Sequence, residues 1–141
     1  ALWYGLFSPT PVLPMSWWWE FFENRGMMSY FKQVSEMNRN MLEAGKGKFE
    51  SFDVKTAQNG IEAYGIRCGK KNFIYLYNST VTSENIWFNS SVAPGMKSKM
   101  ILFDCETGRY SDLKFKVLPD KSIDIDQLKL QPAGNVILIW E

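Results

Sequence analysis

The sequence predicts a mostly β protein, an antiparallel β-sandwich of about eight strands that follows one strand and one amphipathic helix. Two observations predict this class. From Phe49 onward, apolar residues recur at every second position, which is the period of a strand. Turn sequences such as Gln58-Asn59-Gly60 and Glu106-Thr107-Gly108 interrupt this alternation at short, regular intervals. Before residue 45 the apolar period is helical for one long stretch.

We predict three elements in the first 45 residues: a short helix, a strand and a longer amphipathic helix. Residues 2–8 fit a short helix that ends at Pro9, and residues 12–19 fit a buried strand because both of its alternating faces are apolar. A turn at Asn24-Arg25-Gly26 precedes an amphipathic helix over residues 27–44, which Gly45 ends. The apolar stripe of this helix is Met27, Tyr30, Phe31, Val34, Met37, Met41 and Leu42.

A charged, glycine-bearing stretch at residues 44–48 is the best candidate for a junction, so we predict one unit over residues 1–45 and a sandwich domain over residues 46–141. In the third sandwich strand, Phe73, Tyr75 and Tyr77 share one face. Ile74 and Leu76 share the other, so this strand is predicted to be central and covered on both sides. The expected strands lie near residues 49–56, 61–68, 72–77, 85–88, 97–104, 113–118, 122–125 and 135–140.

Charge and cysteine usage exclude several classes of function. Sixteen basic and 15 acidic residues give a net charge of +1, which disfavours nucleic acid and anionic membrane surfaces as partners. The chain has no histidine, and Cys68 and Cys105 lack a CxxC spacing, which excludes zinc sites and Cys–His catalysis. We expect free thiols, with a bridge between neighbouring strands as the alternative. No signal peptide, membrane span or cofactor is expected.

Acidic residues also fail to form a metal motif. They lie in separate turns and strand ends rather than in one calcium-binding loop, so we expect solvated acids and no metal site. These residues are Asp104, Glu106, Asp120, Asp124 and Asp126.

Aromatic residues make up 16% of the chain, with six tryptophans, and such an excess is common in proteins whose rings stack on sugars. Three of them are consecutive, Trp17-Trp18-Trp19, and need either a thick core or a flat ligand to cover them. Trp87 lies in a predicted strand and is a second candidate for stacking on sugar. For both, packing in the core is the alternative.

Four motifs follow one another in a recognisable order. They are the apolar run 11–19 before Glu20, the tyrosine-rich strand 73–78, the turn Asp104-Cys-Glu-Thr-Gly108 and the closing strand 136–140. Together they resemble the C-terminal end of a clan-A bacterial glycoside hydrolase, in which a (β/α)8 barrel joins a small β-sandwich; the family includes cellulase-like and collagen-binding members. The family usually has Asp where this chain has Glu20, and small residues where it has prolines.

The resemblance implies that residues 1–45 are the end of a barrel, with its last strand at 12–19 and its last helix at 27–44. Such enzymes use two carboxylic acids at the ends of barrel strands four and seven, so the resemblance places both upstream of this chain and no catalytic residue within it. It also implies that Trp18 or Trp19 forms the floor of the cleavage subsite, with Glu20 accepting a sugar hydroxyl. A secreted, periplasmic or cell-surface location follows from the same resemblance.

Three functions remain open. The first is a non-catalytic sandwich that packs on and stabilises the barrel of a polysaccharide-degrading hydrolase. The second is a carbohydrate-binding module, in which Trp87 and one of Tyr64, Tyr75 or Tyr77 form coplanar exposed rings. The third is a protein–protein interaction domain with an exposed apolar patch. The expected partner is an oligo- or polysaccharide, and exposed apolar residues in 1–22 predict self-association.

Overall fold

The computed structural model describes residues 2–7, 19–56, 58–92, 94, 99–120 and 122–141, without the side chains of residues 19–21, 126 and 127. Three helices and ten strands lie within these ranges, and every strand pair among them is antiparallel. The fold is therefore mostly β, as the sequence predicts. The helices are α1 (Leu2–Phe7), α2 (Trp19–Asn24) and α3 (Met28–Gly45). The strands are β1 (Phe49–Phe52), β2 (Val54–Thr56), β3 (Ile61–Cys68), β4 (Lys71–Asn78), β5 (Glu84–Ser90), β6 (Met100–Asp104), β7 (Tyr110–Leu113), β8 (Phe115–Val117), β9 (Ser122–Leu130) and β10 (Asn135–Trp140).

The strands form a six-stranded sheet in the order β1-β3-β4-β10-β6-β7 and a four-stranded sheet in the order β2-β5-β9-β8. Apolar side chains fill the space between the two sheets, and we call this cluster the inner core. A second cluster, the outer core, lies between the six-stranded sheet and the helices α1 and α3. The inner core is built around Ile74, Leu76, Phe88, Ile123 and Leu138. The outer core is built around Trp3, Phe7, Met37, Met41, Phe73 and Ile137.

Strand β4 confirms the prediction of a central strand covered on both faces. It lies between β3 and β10 in the six-stranded sheet. Phe73 and Tyr75 belong to the outer core, whereas Ile74 and Leu76 belong to the inner core. Because neighbouring residues of a strand point to opposite faces, one strand serves two cores.

Two of the predicted strands are each divided between the sheets, which raises the number of strands from about eight to ten. The segment 49–56 is β1 of the six-stranded sheet and β2 of the four-stranded sheet, with Asp53 between them. The segment 113–118 is likewise divided at Lys114 between β7 and β8. At both points the chain passes from one sheet to the other without a break in the alternation of its residues. The periodicity of the sequence therefore does not predict where the chain changes sheets.

Helix α3 confirms the predicted helix over 27–44 and packs on the six-stranded sheet. Its buried residues include Val34, Met37 and Met41. At its end Lys46 adopts the left-handed conformation (φ 46°), and its backbone N–H donates to the carbonyl oxygen of Leu42. Leu42 was expected in the apolar stripe but is 53% exposed. Successive helical residues are rotated by about 100°, which turns Leu42 away from the sheet beside the buried Met41.

The N-terminal predictions have different outcomes. The short helix over residues 2–8 is confirmed by α1. Residues 12–18 of the predicted strand lie outside the described residues, and Trp19 begins α2, so a strand does not reach it. The division into a barrel remnant over 1–45 and a sandwich over 46–141 stays a prediction. Among the described helices, none combines the length and apolar character needed to cross a bilayer.

Candidate functional site

An exposed tryptophan lies in the middle of the four-stranded sheet. Strand β5 runs between β2 and β9. Its residues Ile86 and Phe88 point into the inner core, so Asn85, Trp87 and Asn89 lie on the opposite, outer face. Trp87 is 46% exposed. Trp87 therefore presents about half of a large, flat indole on the outer face of an interior strand of the sheet.

Polar residues surround this indole in the strand register. Trp87 is opposite Asp124 of β9, and Asp124 is opposite Lys116 of β8. On the other side, Asn89 is opposite Lys55 of β2. Directly opposite residues have Cβ atoms about 5 Å apart, so amide, carboxylate and ammonium groups lie near the ring. We call this surface the Trp87 face; its residues are Lys55, Asn85, Trp87, Asn89, Lys116 and Asp124.

The Trp87 face combines a flat apolar ring with both hydrogen-bond donors and hydrogen-bond acceptors. Its amide and ammonium groups donate hydrogen bonds, whereas the carboxylate of Asp124 and the amide oxygens accept them. A pyranose ring has C–H faces that stack on an aromatic ring and an edge of hydroxyl groups that donate and accept. The chemistry of the surface therefore matches a sugar better than a purely apolar ligand.

A second feature is a cleft of about 360 Å³ at the corner where β1 passes into β2, which we call the corner cleft. Glu50 of β1 is opposite Arg67 of β3, and the Glu50 Oε2 lies 3.6 Å from the Arg67 Nη1. The Arg67 Nε also donates to the Oδ1 of Asn72 at 3.4 Å. The guanidinium is thus held between two partners. The cleft is lined by Glu50, Ser51, Phe52, Asp53, Arg67, Ser91 and Val92.

Aromatic rings and backbone hydrogen bonds support this cleft. The Phe52 ring lies edge-on to Trp140, with centroids 6.1 Å apart. Trp140 is 2% exposed, and its indole Nε1 has no hydrogen-bond partner within the described part of the chain. At the rim, the backbone N–H and the hydroxyl of Ser91 donate to the carbonyl oxygen of Asp53 at 3.0 and 3.3 Å. These bonds join the ends of β1 and β2 to the end of β5.

The structure does not bring Tyr75 and Tyr77 to Trp87. Both tyrosines lie on the helix-covered side of β4, whereas Trp87 faces outward from the other sheet, so the two sheets and the inner core separate them. Tyr75 is 5% exposed and stacks on Phe7 and Tyr64, with centroids 5.5 and 6.3 Å apart. Burial raises the pKa of Tyr75 well above its ordinary value. Tyr75 is therefore a core residue rather than an exposed stacking ring.

Tyr64 and Tyr77 are each half-buried against the outer core. The Tyr64 hydroxyl donates to the Glu62 carboxylate at 3.1 Å, and partial burial with this acceptor raises the pKa of Tyr64 to about 12. Neither ring is coplanar with Trp87 on a shared surface, because both belong to the other sheet. The predicted ring pair is not formed, and Trp87 is the ring of that set on the outer face of the four-stranded sheet.

The other candidate site residues are placed as follows. Trp18 lies outside the described residues, and Trp19 and Glu20 form the first two residues of α2 without described side chains. Their roles as subsite floor and hydroxyl acceptor stay predictions. Asp104 Oδ1 accepts the backbone N–H groups of Glu106 and Thr107, as a turn acid does. Within the described ranges no group of three or more acidic or cysteine side chains is placed to hold a metal ion.

Cys68 and Cys105 are free and buried in the outer core, as expected for ordinary thiols. Burial raises the pKa of the Cys68 thiol from 9.0 to about 11. The pKa of Cys105 is raised further, by burial and by the nearby Asp104 carboxylate. Both cysteines are therefore protonated and unreactive near neutral pH.

No motif in the sequence predicted the corner cleft. Its polar and charged residues come from three separate segments: Glu50 and Asp53 around β1, Arg67 in β3, and Ser91 after β5. No short motif joins them, because their proximity depends on the strand register and on the crossing at Asp53.

Comparisons with known proteins found partial matches among solved structures. No protein-family model matches the sequence, and no curated protein is detectably similar to it. A rhamnosidase from Novosphingobium sp. PP1Y is 19% identical over 72% of this chain, with a TM-score of 0.47. A protein from Bacillus halodurans C-125, whose proposed activity is that of an alpha-N-acetylgalactosaminidase, is 15% identical over 65% of the chain, with a TM-score of 0.42.

The chain spans 9% of the first protein and 20% of the second. Both similar proteins carry glycosidase names, yet each match covers a small part of a much longer chain. At these scores the likeness supports no argument about function.

Proposed function

We propose that this chain is a non-catalytic β-sandwich domain that binds oligo- or polysaccharide through the Trp87 face. One observation carries the proposal: a tryptophan that is 46% exposed at the centre of a sheet, with a carboxylate opposite it and amide groups beside it. Stacking a sugar ring on the indole removes apolar surface from water on both partners. The surrounding groups then hydrogen-bond the hydroxyls at the edge of the sugar.

The size of the surface sets the expected affinity. For a single indole with a few polar neighbours we expect a dissociation constant between millimolar and micromolar. This range is a binding free energy of about 4 to 8 kcal/mol. Weak binding of this kind suits a domain that keeps a protein near a polymer with many repeated sites. The proposal extends to a parent protein that degrades polysaccharide outside the cytoplasm, a role that rests on the resemblance of the sequence motifs.

Packing on a catalytic barrel is a second candidate function, and exposed apolar side chains favour it. Leu42 and Phe49 are both exposed at the corner where α3 leads into β1. The middle of α3 is less suited to a dry interface, because Lys32 and Glu36 form an exposed ion pair there at 3.9 Å. We therefore place this contact at the corner rather than along the whole helix. Replacing Leu42 and Phe49 with Ser in the longer parent protein tests it: reduced thermal stability of the barrel is the expected result, and an unchanged barrel contradicts it.

Affinity electrophoresis against soluble polysaccharides tests the proposed function. Gels containing β-glucan, xylan, galactomannan or pectin are run with the wild-type domain, Trp87→Ala and Trp87→Phe. We expect retardation of the wild type by at least one polymer, at least a tenfold loss of affinity for Trp87→Ala and a smaller loss for Trp87→Phe.

Tyr4→Ala is the matched control, because Tyr4 is 47% exposed but lies on α1, on the other side of the molecule. It is expected to bind like the wild type. Circular dichroism checks that each variant is folded. Retardation of Trp87→Ala equal to that of the wild type would show that the Trp87 face is not the binding surface.

A further inference from the structure

We infer that the corner cleft is a second sugar subsite, and that the cleft and the Trp87 face together bind one extended, neutral oligosaccharide chain. This inference rests on the proposed function, since it takes Trp87 as the first point of contact. It adds a polar recognition site that the sequence motifs do not indicate.

The strand β5 connects the two sites. Trp87 and Asn89 lie on its outer face, and Ser91, the residue that directly follows the strand, lines the cleft. Four residues of a strand span about 13 Å, which is more than one sugar ring covers. Asn89 and the opposite Lys55 occupy the interval between the indole and the cleft. A chain lying along β5 therefore meets a ring, then an amide and an ammonium group, and then the cleft.

The charges in the cleft select the class of ligand. Glu50 and Asp53 supply two carboxylates against the single guanidinium of Arg67, so a negatively charged ligand is repelled. A metal ion is disfavoured because the guanidinium lies 3.6 Å from Glu50 and shares the site with it. A neutral ligand rich in hydroxyl groups avoids both penalties.

The same groups recognise hydroxyls directly. A carboxylate accepts hydrogen bonds from hydroxyl groups, and the guanidinium donates hydrogen bonds to hydroxyl oxygens in a fixed plane. Phe52 adds an apolar ring to the wall of the cleft. Convergent polar groups beside an aromatic ring are typical of a sugar-binding pocket.

An unsatisfied donor lies behind this wall. The strand register aligns one residue from each of four neighbouring strands in a row. These residues are Glu50 of β1, Arg67 of β3, Asn72 of β4 and Trp140 of β10. The first three are linked by the ion pair and the hydrogen bond described above, whereas the Trp140 Nε1 has no partner in the described ranges. Buried donors of this kind are rare in folded proteins. Trp140 is therefore the member of this row whose buried donor is left unused within the described residues.

The volume of the cleft fits the end of a chain. About 360 Å³ is near the lower limit of small-molecule pockets, so it holds a terminal sugar unit rather than a folded chain. The remaining units must leave the cleft, and β5 offers the route toward Trp87. Affinity is then expected to depend on chain length.

The test is a length series of oligosaccharides, from one to six units, prepared from the polysaccharide that retards the wild-type domain most. Dissociation constants are measured by isothermal titration calorimetry for the wild type, Arg67→Ala, Glu50→Gln and Trp87→Ala. For the wild type we expect affinity to rise with length and then level off once both sites are filled. Arg67→Ala and Glu50→Gln are each expected to lower the affinity for the longest chain at least fivefold and to flatten the length dependence.

Glu50→Gln keeps the shape of the side chain and lies on an edge strand, so it tests the cleft even if Arg67→Ala fails to fold. Arg39→Ala, on the exposed surface of α3, is the control for loss of a guanidinium. If both cleft variants bind the longest chain as the wild type does while Trp87→Ala does not, the inference is overturned and the proposed function stands. If the wild type binds no polysaccharide, the proposed function fails and the inference fails with it.

Discussion

The side-chain amide of Asn78 in β4 donates a hydrogen bond to the carbonyl oxygen of Leu130 in β9, at 3.0 Å, and so joins the two sheets of the sandwich. The same Nδ2 lies 2.7 Å from the carbonyl oxygen of Thr82 and 3.1 Å from that of Gln131. The Oδ1 accepts the backbone N–H and the hydroxyl of Thr80. Asn78 is fully buried, and all of its hydrogen-bonding capacity is engaged.

Replacing Asn78 with Ala should destabilise the domain by about 3 kcal/mol, because buried carbonyl and N–H groups lose their partner. Asn78→Asp should be at least as damaging, since a carboxylate has no N–H to donate and would place its oxygens against the carbonyl oxygens that now accept from Asn78. Urea unfolding followed by circular dichroism measures the change. Asn85→Ala, on the exposed face of β5, should change stability by less than about 0.5 kcal/mol. Equal midpoints for the two alanine variants would contradict a linking role for Asn78.

Gly65 is required by the ring of Phe52. A Cβ at Gly65 would lie 2.6 Å from the Phe52 Cε2, and the two residues are directly opposite in β1 and β3. Gly65→Ala should therefore cost about 1 to 2 kcal/mol through overpacking. In the Phe52→Leu background the same change should cost less, which a double-mutant cycle in urea measures. Additive effects would show that the close approach of the ring does not determine the choice of glycine.

The buried Cys68 thiol predicts a loss of stability at alkaline pH. Its pKa is raised by burial from 9.0 to about 11, so between these values the unfolded chain releases a proton that the folded chain retains. The stabilising contribution is complete below pH 9 and is lost as the pH rises toward 11. Unfolding in guanidinium chloride at pH 8, 10 and 11 measures the free energy of unfolding. For Cys68→Ala this free energy should fall less steeply with pH than for the wild type. Parallel declines for the two proteins would contradict the assignment to Cys68.

Helix α1 should contribute to stability through Trp3. This residue is buried in the outer core, with its ring 5.5 Å from that of Phe103. Trp3→Ala should destabilise the domain by about 3 kcal/mol, because a large buried side chain leaves a cavity. Tyr4→Ala removes a half-exposed neighbour on the same helix and should cost clearly less. Thermal unfolding compares the two, and similar melting temperatures would mean that α1 does not dock on the sheet in solution.

The sequence predicted one member of the candidate site and missed the rest. Trp87 was recognisable because a tryptophan within an alternating strand must face either the core or the surface. Its supposed partners, Tyr75 and Tyr77, lie on the other sheet, and the strand pattern could not show this. Glu50 and Arg67 carried no signal, because they are charged residues in ordinary strands whose pairing depends on register.

Local chemistry in the sequence determined where most elements of this protein lie. The period of two located the strands, the helical stripe located α3, and the two apolar faces of β4 marked it as central. These features depend on the residues within one element and its immediate neighbours.

The tertiary structure decided which sheet each strand joins and what the strands bring together. At Asp53 the chain crosses from one sheet to the other without a break in its alternation, and hydrogen bonds from Ser91, 38 residues away, close that corner. The corner cleft, the sheet-to-sheet link through Asn78 and the separation of Trp87 from the tyrosines all follow from such long-range pairings. Their free energy comes from contacts between distant segments, which no local pattern in the sequence encodes.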